Sequence, residues 1–136
     1  MTGIAYREGY LYQLAEDYCV RIEIRPEQPI WTEYIELSPE GDFLIRHGYA
    51  WDGASWAIDT PNFMRGSLVH DALYQFMRAG KLDSYQHRKT ADAILRRICR
   101  EDGMSAIRAW WVYQGVRFGG GPGATPGNEN PVIYAP

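Results

Sequence analysis

The sequence is poor in cysteine, in histidine and in long apolar runs. Its 136 residues include two cysteines, Cys19 and Cys99, and three histidines. A small secreted domain held by disulfides normally carries more cysteines. We therefore expect a reduced, core-stabilised protein with two free thiols, the alternative being a single Cys19–Cys99 bridge. No stretch approaches the roughly 20 apolar residues of a membrane span, and Met1–Arg7 lacks the pattern of a signal peptide.

The sequence also lacks an excess of positive charge and any phosphate-binding loop. Lys and Arg number 14 against 17 Asp and Glu, a formal net charge of −3, which argues against a generic nucleic-acid binder. Gly119–Gly121 follows a predicted helix, whereas a phosphate loop precedes one. Nineteen aromatic residues provide abundant surface to bury. We expect one domain over residues 1–118 and a Gly/Pro-rich tail over residues 119–136.

The first fifty residues show the period-2 alternation of half-buried strands. Ser38–Asp42 between two such runs has the composition of a turn. We therefore expect a small antiparallel sheet of three to four strands. Residues 49–61 show no periodicity and read as an aromatic-bracketed loop. The predicted strands are Tyr10–Leu14, Cys19–Ile24, Trp31–Leu37 and a return strand beginning at Phe43–Ile45.

The second half of the chain has the apolar spacing of three helices. They are predicted over Arg65–Arg78, Ser84–Arg100 and Ser105–Phe118, with Gly80 and Gly103 ending the first two. The connector between the first two is short, which favours an antiparallel pair. Strands followed by helices indicate an α+β fold.

Four polar residues lie on or beside the apolar faces of the first two helices: His70, Asp71, Tyr74 and Asp92. Antiparallel packing would bring Asp92 towards His70 and Tyr74. A carboxylate on a packing face needs a partner, and a histidine that donates one ring proton to it can act as a base through the other nitrogen. Two interpretations stay open: a catalytic site, or a polar clasp that only holds the helices together.

Other polar and aromatic residues favour plainer interpretations. A phosphohydrolase built on paired histidines would need His47 on a helix facing His70, and His47 lies near a strand end. Cys19 and Cys99 read as small buried hydrophobes. Trp110–Trp111 read as core and interface residues, and the basic run Arg96–Arg100 reads as a solvated face.

Four segments together resemble the domain-of-unknown-function family 1353, over roughly residues 30–120. They are Tyr49–Ser55, Ser67–Tyr74, Ala91–Asp92 and Trp110–Gly119. The family is frequent in tailed bacteriophages and prophages and has no established activity. The resemblance implies a virion-associated or host-interaction component, made in the host cytoplasm and carried in the virion. Its implied partners are other phage proteins or the host envelope lipid, with an oligomer compatible with the sequence.

The constellation on the two helices is similar to the phospholipase A2 superfamily, in particular the disulfide-free domain of parvovirus capsid proteins. Those viral domains have a glycine loop, then His-Asp-x-x-Tyr, then Ala-Asp about twenty residues later. Here Asp92 follows His70 by 22 positions, and Gly53 precedes His70 by 17. The resemblance implies an alternative function, Ca²⁺-dependent ester hydrolysis, with His70 as general base, Asp92 orienting its imidazole and Tyr74 bonded to Asp92.

The same resemblance implies an oxygen-rich calcium site. Asp71 would be a side-chain ligand, and backbone carbonyls near Trp51, Gly53 and Ser55 would complete the shell. That superfamily spaces two glycines in its calcium loop, whereas this chain reads Asp52-Gly53-Ala54-Ser55. Asp52 is therefore an alternative side-chain ligand.

Overall fold

The strands precede the helices along the chain, which confirms the predicted α+β class. The computed structural model describes residues 3–4, 6–7, 12–52 and 60–124. These residues belong to two compact units, one containing the strands up to Asp52 and the other the helices from Thr60 onward. We call them the strand unit and the helical unit.

The strand unit contains two small antiparallel sheets where the sequence predicted one. The first has the order β1-β2-β7 and the second the order β3-β6-β5-β4. Tyr10 and Leu11 of the first predicted strand lie outside the described residues. The strands are β1 (Tyr6–Arg7), β2 (Tyr12–Leu14), β3 (Tyr18–Arg21), β4 (Ile30–Trp31), β5 (Ile35–Leu37), β6 (Asp42–Ile45) and β7 (Ala50–Trp51).

The predicted strand Trp31–Leu37 is wrong as one continuous element. It contains the end of β4, a bend and β5, and the two strands pair antiparallel, with Ile30 opposite Leu37. The Thr32 amide donates to the Ile35 carbonyl at 2.8 Å and closes this hairpin. Glu33 interrupts the apolar face that a continuous strand would bury, which is the physical reason for the bend.

The second sheet buries one face and exposes the other, as period-2 alternation requires. Its buried side chains are Tyr18, Ile35, Leu37, Phe43 and Ile45. On the other face Cys19 is exposed, so its assignment as a buried hydrophobe is wrong, whereas Cys99 in the helical unit is buried; both are free thiols. Burial raises the pKa of Cys99 to about 12, so it is an inert core thiol.

The helical unit contains three long helices and one short one: α1 (Pro61–Arg78), α2 (Ser84–Glu101), α3 (Ala106–Gly119) and α4 (Gly121–Ala124). Helix α1 begins four residues before the predicted start because Pro61 follows the extended Thr60 and occupies the first turn. Asp83 caps α2 by accepting from the Tyr85 amide, and Ser105 caps α3. Helix α4 falls within the predicted tail. Among the described residues, no helix has the length and apolarity to cross a membrane.

Helices α1 and α2 pack antiparallel. Arg65 near the start of α1 bonds Asp102 just beyond the end of α2, whereas Tyr74 further along α1 bonds Asp92. Gly66 permits the close approach, since a Cβ there would lie 2.9 Å from Cys99 Sγ. Helix α3 completes the core, in a cluster of Phe63, Leu95, Cys99, Met104, Ala109, Val112 and Val116.

Candidate active site

A fully buried carboxylate, Asp92, lies at the centre of the helical unit. Its Oδ1 is 2.7 Å from His70 Nε2 and accepts a hydrogen bond from the Tyr74 hydroxyl at 2.6 Å. His70 and Tyr74 are four residues apart on α1 and therefore share one face. Their ring centroids are 4.1 Å apart. The structure thus brings together the three residues that the sequence placed in the catalytic group.

Two arginines that the sequence reasoning missed complete the surroundings of Asp92. Arg117 on α3 donates from Nη1 to Asp92 Oδ2 at 2.9 Å. Arg88, one turn before Asp92 on α2, has its Nε 3.9 Å from Oδ2 and donates to the Tyr74 hydroxyl at 3.1 Å. The i, i+4 spacing of Arg88 and Asp92 was a usable signal, whereas no local pattern in the sequence points from Arg117 to Asp92.

Arg88 also fastens the C-terminal end of α3 to the site. Its Nη2 donates to the backbone carbonyls of Val116 and Arg117, at 2.8 and 2.7 Å. Carbonyls in the last turn of a helix have no partner within the helix, so a guanidinium can bond them. The Val116 carbonyl also accepts from the Gly120 amide at 2.9 Å. The contact with Arg88 sets the position from which Arg117 reaches Asp92.

Gly120 allows Tyr74 to approach the end of α3. A Cβ at this position would lie 2.6 Å from the Tyr74 hydroxyl and 2.5 Å from the Val116 carbonyl oxygen. Both distances are shorter than any ordinary contact, so a side chain here would displace Tyr74 from Asp92. The glycine that follows α3 is therefore part of the site's packing.

Electrostatics determine which groups donate in this cluster. Burial alone would raise the pKa of Asp92, but the hydrogen bonds from His70, Tyr74 and Arg117 hold it below its usual value. Burial, with the adjacent Asp92 charge, raises the pKa of Tyr74. At neutral pH, Asp92 is therefore an anion that only accepts and Tyr74 is a neutral donor.

The ionised Asp92 fixes the tautomer of His70. Since a carboxylate only accepts, Nε2 carries the proton in the bond to Oδ1. In the neutral imidazole Nδ1 then holds the lone pair, and no hydrogen-bond partner for it is present among the described residues. The His70 side chain is 12% exposed. The arrangement can therefore take a proton at Nδ1 from a molecule that enters from solvent.

The residues implied as calcium ligands are distributed over both units. Asp71 is half-buried on α1 of the helical unit, whereas Trp51 is buried in β7 and Asp52 is exposed just after it. Gly53 and Ser55 lie outside the described residues. Within the part of the chain that the structure describes, no three His, Cys, Asp or Glu residues are grouped closely enough to hold a metal ion.

A second His–Asp pair occurs in the strand unit, in a different environment. His47 Nδ1 lies 2.7 Å from Asp17 Oδ1, and the His47 amide donates to the same oxygen at 2.8 Å. The two side chains are 72% and 47% exposed. This surface pair has the same chemical groups as His70–Asp92 without the burial, so it serves as an internal control.

The chain belongs to the DUF1353 family, whose model matches residues 32–116 and whose description is "Protein of unknown function". The match includes α1 and α2, with His70, Tyr74 and Asp92, and most of α3. No curated protein and no solved structure matches the chain.

We expect Asp92→Asn to lower the free energy of unfolding by about 3 kcal/mol at pH 7, because it leaves the partly buried Arg88 and Arg117 guanidinium groups without their anion. Since folding lowers the pKa of Asp92, the carboxylate stabilises fully above the unfolded value of about 3.9. That stabilisation is lost as pH falls below this value. The free energy of unfolding, measured with urea at pH 7 and pH 3, should therefore differ less between wild type and variant at pH 3 than at pH 7.

Asp17→Asn is the matched control, because it removes a carboxylate from an exposed His–Asp pair. It should cost roughly 0–1 kcal/mol at pH 7. If Asp17→Asn and Asp92→Asn lowered the free energy of unfolding equally, that result would contradict the central role assigned to Asp92.

Proposed function

We propose that this member of the DUF1353 family hydrolyses a carboxylic ester of a lipid in the manner of the phospholipase A2 superfamily. The observation that carries the proposal is the 2.7 Å contact between His70 Nε2 and the buried Asp92 carboxylate. It leaves Nδ1 as the basic nitrogen of a partly exposed imidazole. The resemblance of the sequence to the His-Asp-x-x-Tyr helix of that superfamily supports the choice of substrate class.

The chemistry follows from the tautomer of His70. Nδ1 takes a proton from a water molecule while the water oxygen bonds to the ester carbonyl carbon. The tetrahedral intermediate then collapses, the bond from carbon to the alcohol oxygen breaks, and the imidazolium returns the proton to the leaving alcoholate. A fatty acid and an alcohol are formed. Asp92 stabilises the imidazolium that exists between the two proton transfers.

The groups around Asp92 act as positioning residues for this base. Arg117 bonds Oδ2, while His70 and Tyr74 share Oδ1. Contacts on both oxygens fix the rotation of the carboxylate and therefore the plane of the imidazole. Because Tyr74 stays protonated, it continues to donate to Asp92 across the neutral pH range.

We also propose Ca²⁺ as the cofactor. Asp71 would supply a carboxylate, and the resemblance implies the carbonyls of Gly53 and Ser55 as further oxygen ligands. The described residues alone assemble no metal site, so the proposal rests on the resemblance and on this set of oxygen donors. When bound, the ion would polarise the ester carbonyl and stabilise the oxyanion.

A second candidate function is that of a phage or prophage virion component or host-interaction module, made in the host cytoplasm. The observation that favours it is an apolar groove of about 380 Å³ on the exposed face of the second sheet. The Trp31 side chain lining it is 62% exposed, so a large aromatic surface is available to a partner that enters the groove. The groove is lined by Cys19, Pro29, Ile30, Trp31, Glu36, Leu37, Ser38, Asp42 and Leu44.

His70→Gln should reduce release of fatty acid from phospholipid vesicles by about 10²-fold or more, the usual contribution of a general base. Glutamine keeps a donor for Asp92 but provides no basic nitrogen. The matched control is His47→Gln, which removes the imidazole of the exposed His–Asp pair and should leave the rate unchanged. Fatty acid released over time, with the melting temperature of each variant, is the measurement.

If the four polar residues are only a clasp between the helices, the same variants should behave differently. If His70 only ties α1 to α2, the wild type releases no fatty acid and His70→Gln changes only the melting temperature. That pattern would remove the hydrolase proposal.

Asp71→Asn should weaken calcium binding by at least 10-fold, since it removes the one side-chain carboxylate implied within the helical unit. Isothermal titration calorimetry with CaCl₂ measures this without reference to activity, and MgCl₂ tests selectivity. Asp17→Asn should bind calcium as the wild type does. A wild type that gives no calcium-dependent heat would exclude the cofactor.

Trp31→Ala should reduce incorporation of the protein into phage particles if the groove binds another virion component. The readout is quantitative mass spectrometry of gradient-purified particles from an induced lysogen. Tyr85→Ala, which alters an exposed aromatic ring on α2, is the control and should not reduce incorporation. Absence of the wild-type protein from purified particles would count against a virion role.

A further inference from the structure

Helix α3 is apolar on two opposite faces. Its inner face, at spacings of three and four residues, is formed by Ala109, Val112 and Val116, all buried in the core. Ile107, Trp111 and Phe118 project from the opposite side, with Trp110 beside them. We call these four residues the α3 outer face. A helix that is apolar all round is normally buried all round, so the exposed side of α3 needs another explanation.

The α3 outer face is open to solvent. Ile107 is 70% exposed, Trp110 41%, Trp111 63% and Phe118 88%. The two tryptophan rings contact each other edge to face, with centroids 5.1 Å apart. Large apolar side chains aligned on one exposed helix face mark an interaction surface rather than scattered surface residues.

The helical unit that presents this face carries an excess of positive charge, although the chain as a whole is acidic. Residues 60–124 carry ten Lys and Arg against five Asp and Glu, whereas the whole chain has a net charge of −3. Helix α3 itself contains Arg108 and Arg117 and no carboxylate. The helical unit therefore complements an anionic surface.

The same charges disfavour a second copy of this chain as the occupant. Each copy carries ten basic and five acidic residues over positions 60–124. Two such units facing each other would therefore bring together surfaces with the same sign of net charge, which is costly. An anionic bilayer suits both features, because Trp and Phe favour the membrane interface and Arg binds the headgroups.

The α3 outer face is also linked to the candidate active site. Phe118 immediately follows Arg117, and Arg117 donates to Asp92 Oδ2. The last turn of α3 thus carries an outward-facing aromatic ring beside a residue that contacts the catalytic group. A bilayer held by this face would lie against the helix that contributes to the site.

We propose that the α3 outer face docks on an anionic phospholipid bilayer, with Trp110, Trp111 and Phe118 inserted at the interface. The docking itself is independent of catalysis. Its purpose, delivery of membrane lipid to His70, rests on the proposed hydrolase function.

The test is co-sedimentation of the full chain with vesicles of phosphatidylglycerol and phosphatidylcholine, compared with vesicles of phosphatidylcholine alone. The wild type should bind the anionic vesicles at least 10-fold more tightly, and added NaCl should weaken that binding. Trp111→Gln with Phe118→Gln should reduce binding at least 10-fold. Tyr85→Gln, which removes an aromatic ring that is 99% exposed on α2, should bind as the wild type does.

A second pair of measurements separates docking from catalysis. The double variant should still hydrolyse a short-chain phosphatidylcholine below its critical micelle concentration, while its hydrolysis of vesicles falls with its binding. His70→Gln should bind vesicles normally. A wild type that binds vesicles but hydrolyses neither substrate would refute the hydrolase function and leave the docking surface standing.

Three results would overturn the docking proposal. One is undiminished vesicle binding by the double variant. Another is a wild-type dimer in light scattering that the double variant converts to monomer, which would assign the face to a second copy. The third is displacement of vesicles by RNA in competition, which would assign the positive charge to nucleic acid.

Discussion

The helical unit depends on the burial of one negative charge. Asp92 is fully buried, and removing a carboxylate from water costs several kcal/mol unless charged and polar donors replace the water. Here the compensating groups come from three helices: His70 and Tyr74 on α1 and Arg117 on α3 contact the carboxylate directly, and the Arg88 guanidinium of α2 adds its charge from 3.9 Å. Each helix must therefore be in place before the charge is compensated. Burial of the Asp92 carboxylate therefore requires three features of the fold. They are the antiparallel pairing of α1 with α2, the bond from Arg88 to the end of α3 and the close contact at Gly120.

The same contacts are required for a structural clasp and for a catalytic base, so their presence alone does not separate the two. The two roles differ in what they require of the imidazole nitrogen that does not contact Asp92. A clasp needs only a donor, and a fully enclosed ring would serve it best. His70 instead keeps a side chain that is 12% exposed and a second nitrogen with no partner among the described residues. The surface pair His47–Asp17 has the same groups but lacks the burial that orients a ring and maintains its tautomer, which is why the proposed base is His70 and not His47.

Much of this unit could be predicted from the sequence, because its determinants are local or repeat along one helix. The apolar spacing predicts all three long helices, and the short connector predicts their antiparallel pairing. That pairing in turn brings Asp92 to His70 and Tyr74. Arg117 could not be predicted in this way, since its contact depends on where α3 lies relative to α2. In the strand unit, two-residue strands such as β4 and β7 are too short to show alternation. The run from Trp31 to Leu37 therefore reads as one strand although it turns back on itself at Glu33.

The net charge of the whole chain does not describe the charge of each unit. The net charge of −3 argues against binding to polyanions, but it combines an acidic strand unit with a helical unit that carries ten basic and five acidic residues over positions 60–124. Electrostatic attraction acts over about 8–10 Å at physiological salt, so the charges close to a surface matter more than the average over the chain. The basic helices of an acidic protein can therefore approach an anionic bilayer. The reading of Trp110 and Trp111 as core residues is wrong, because both are exposed. They lie on the side of α3 that would meet such a bilayer.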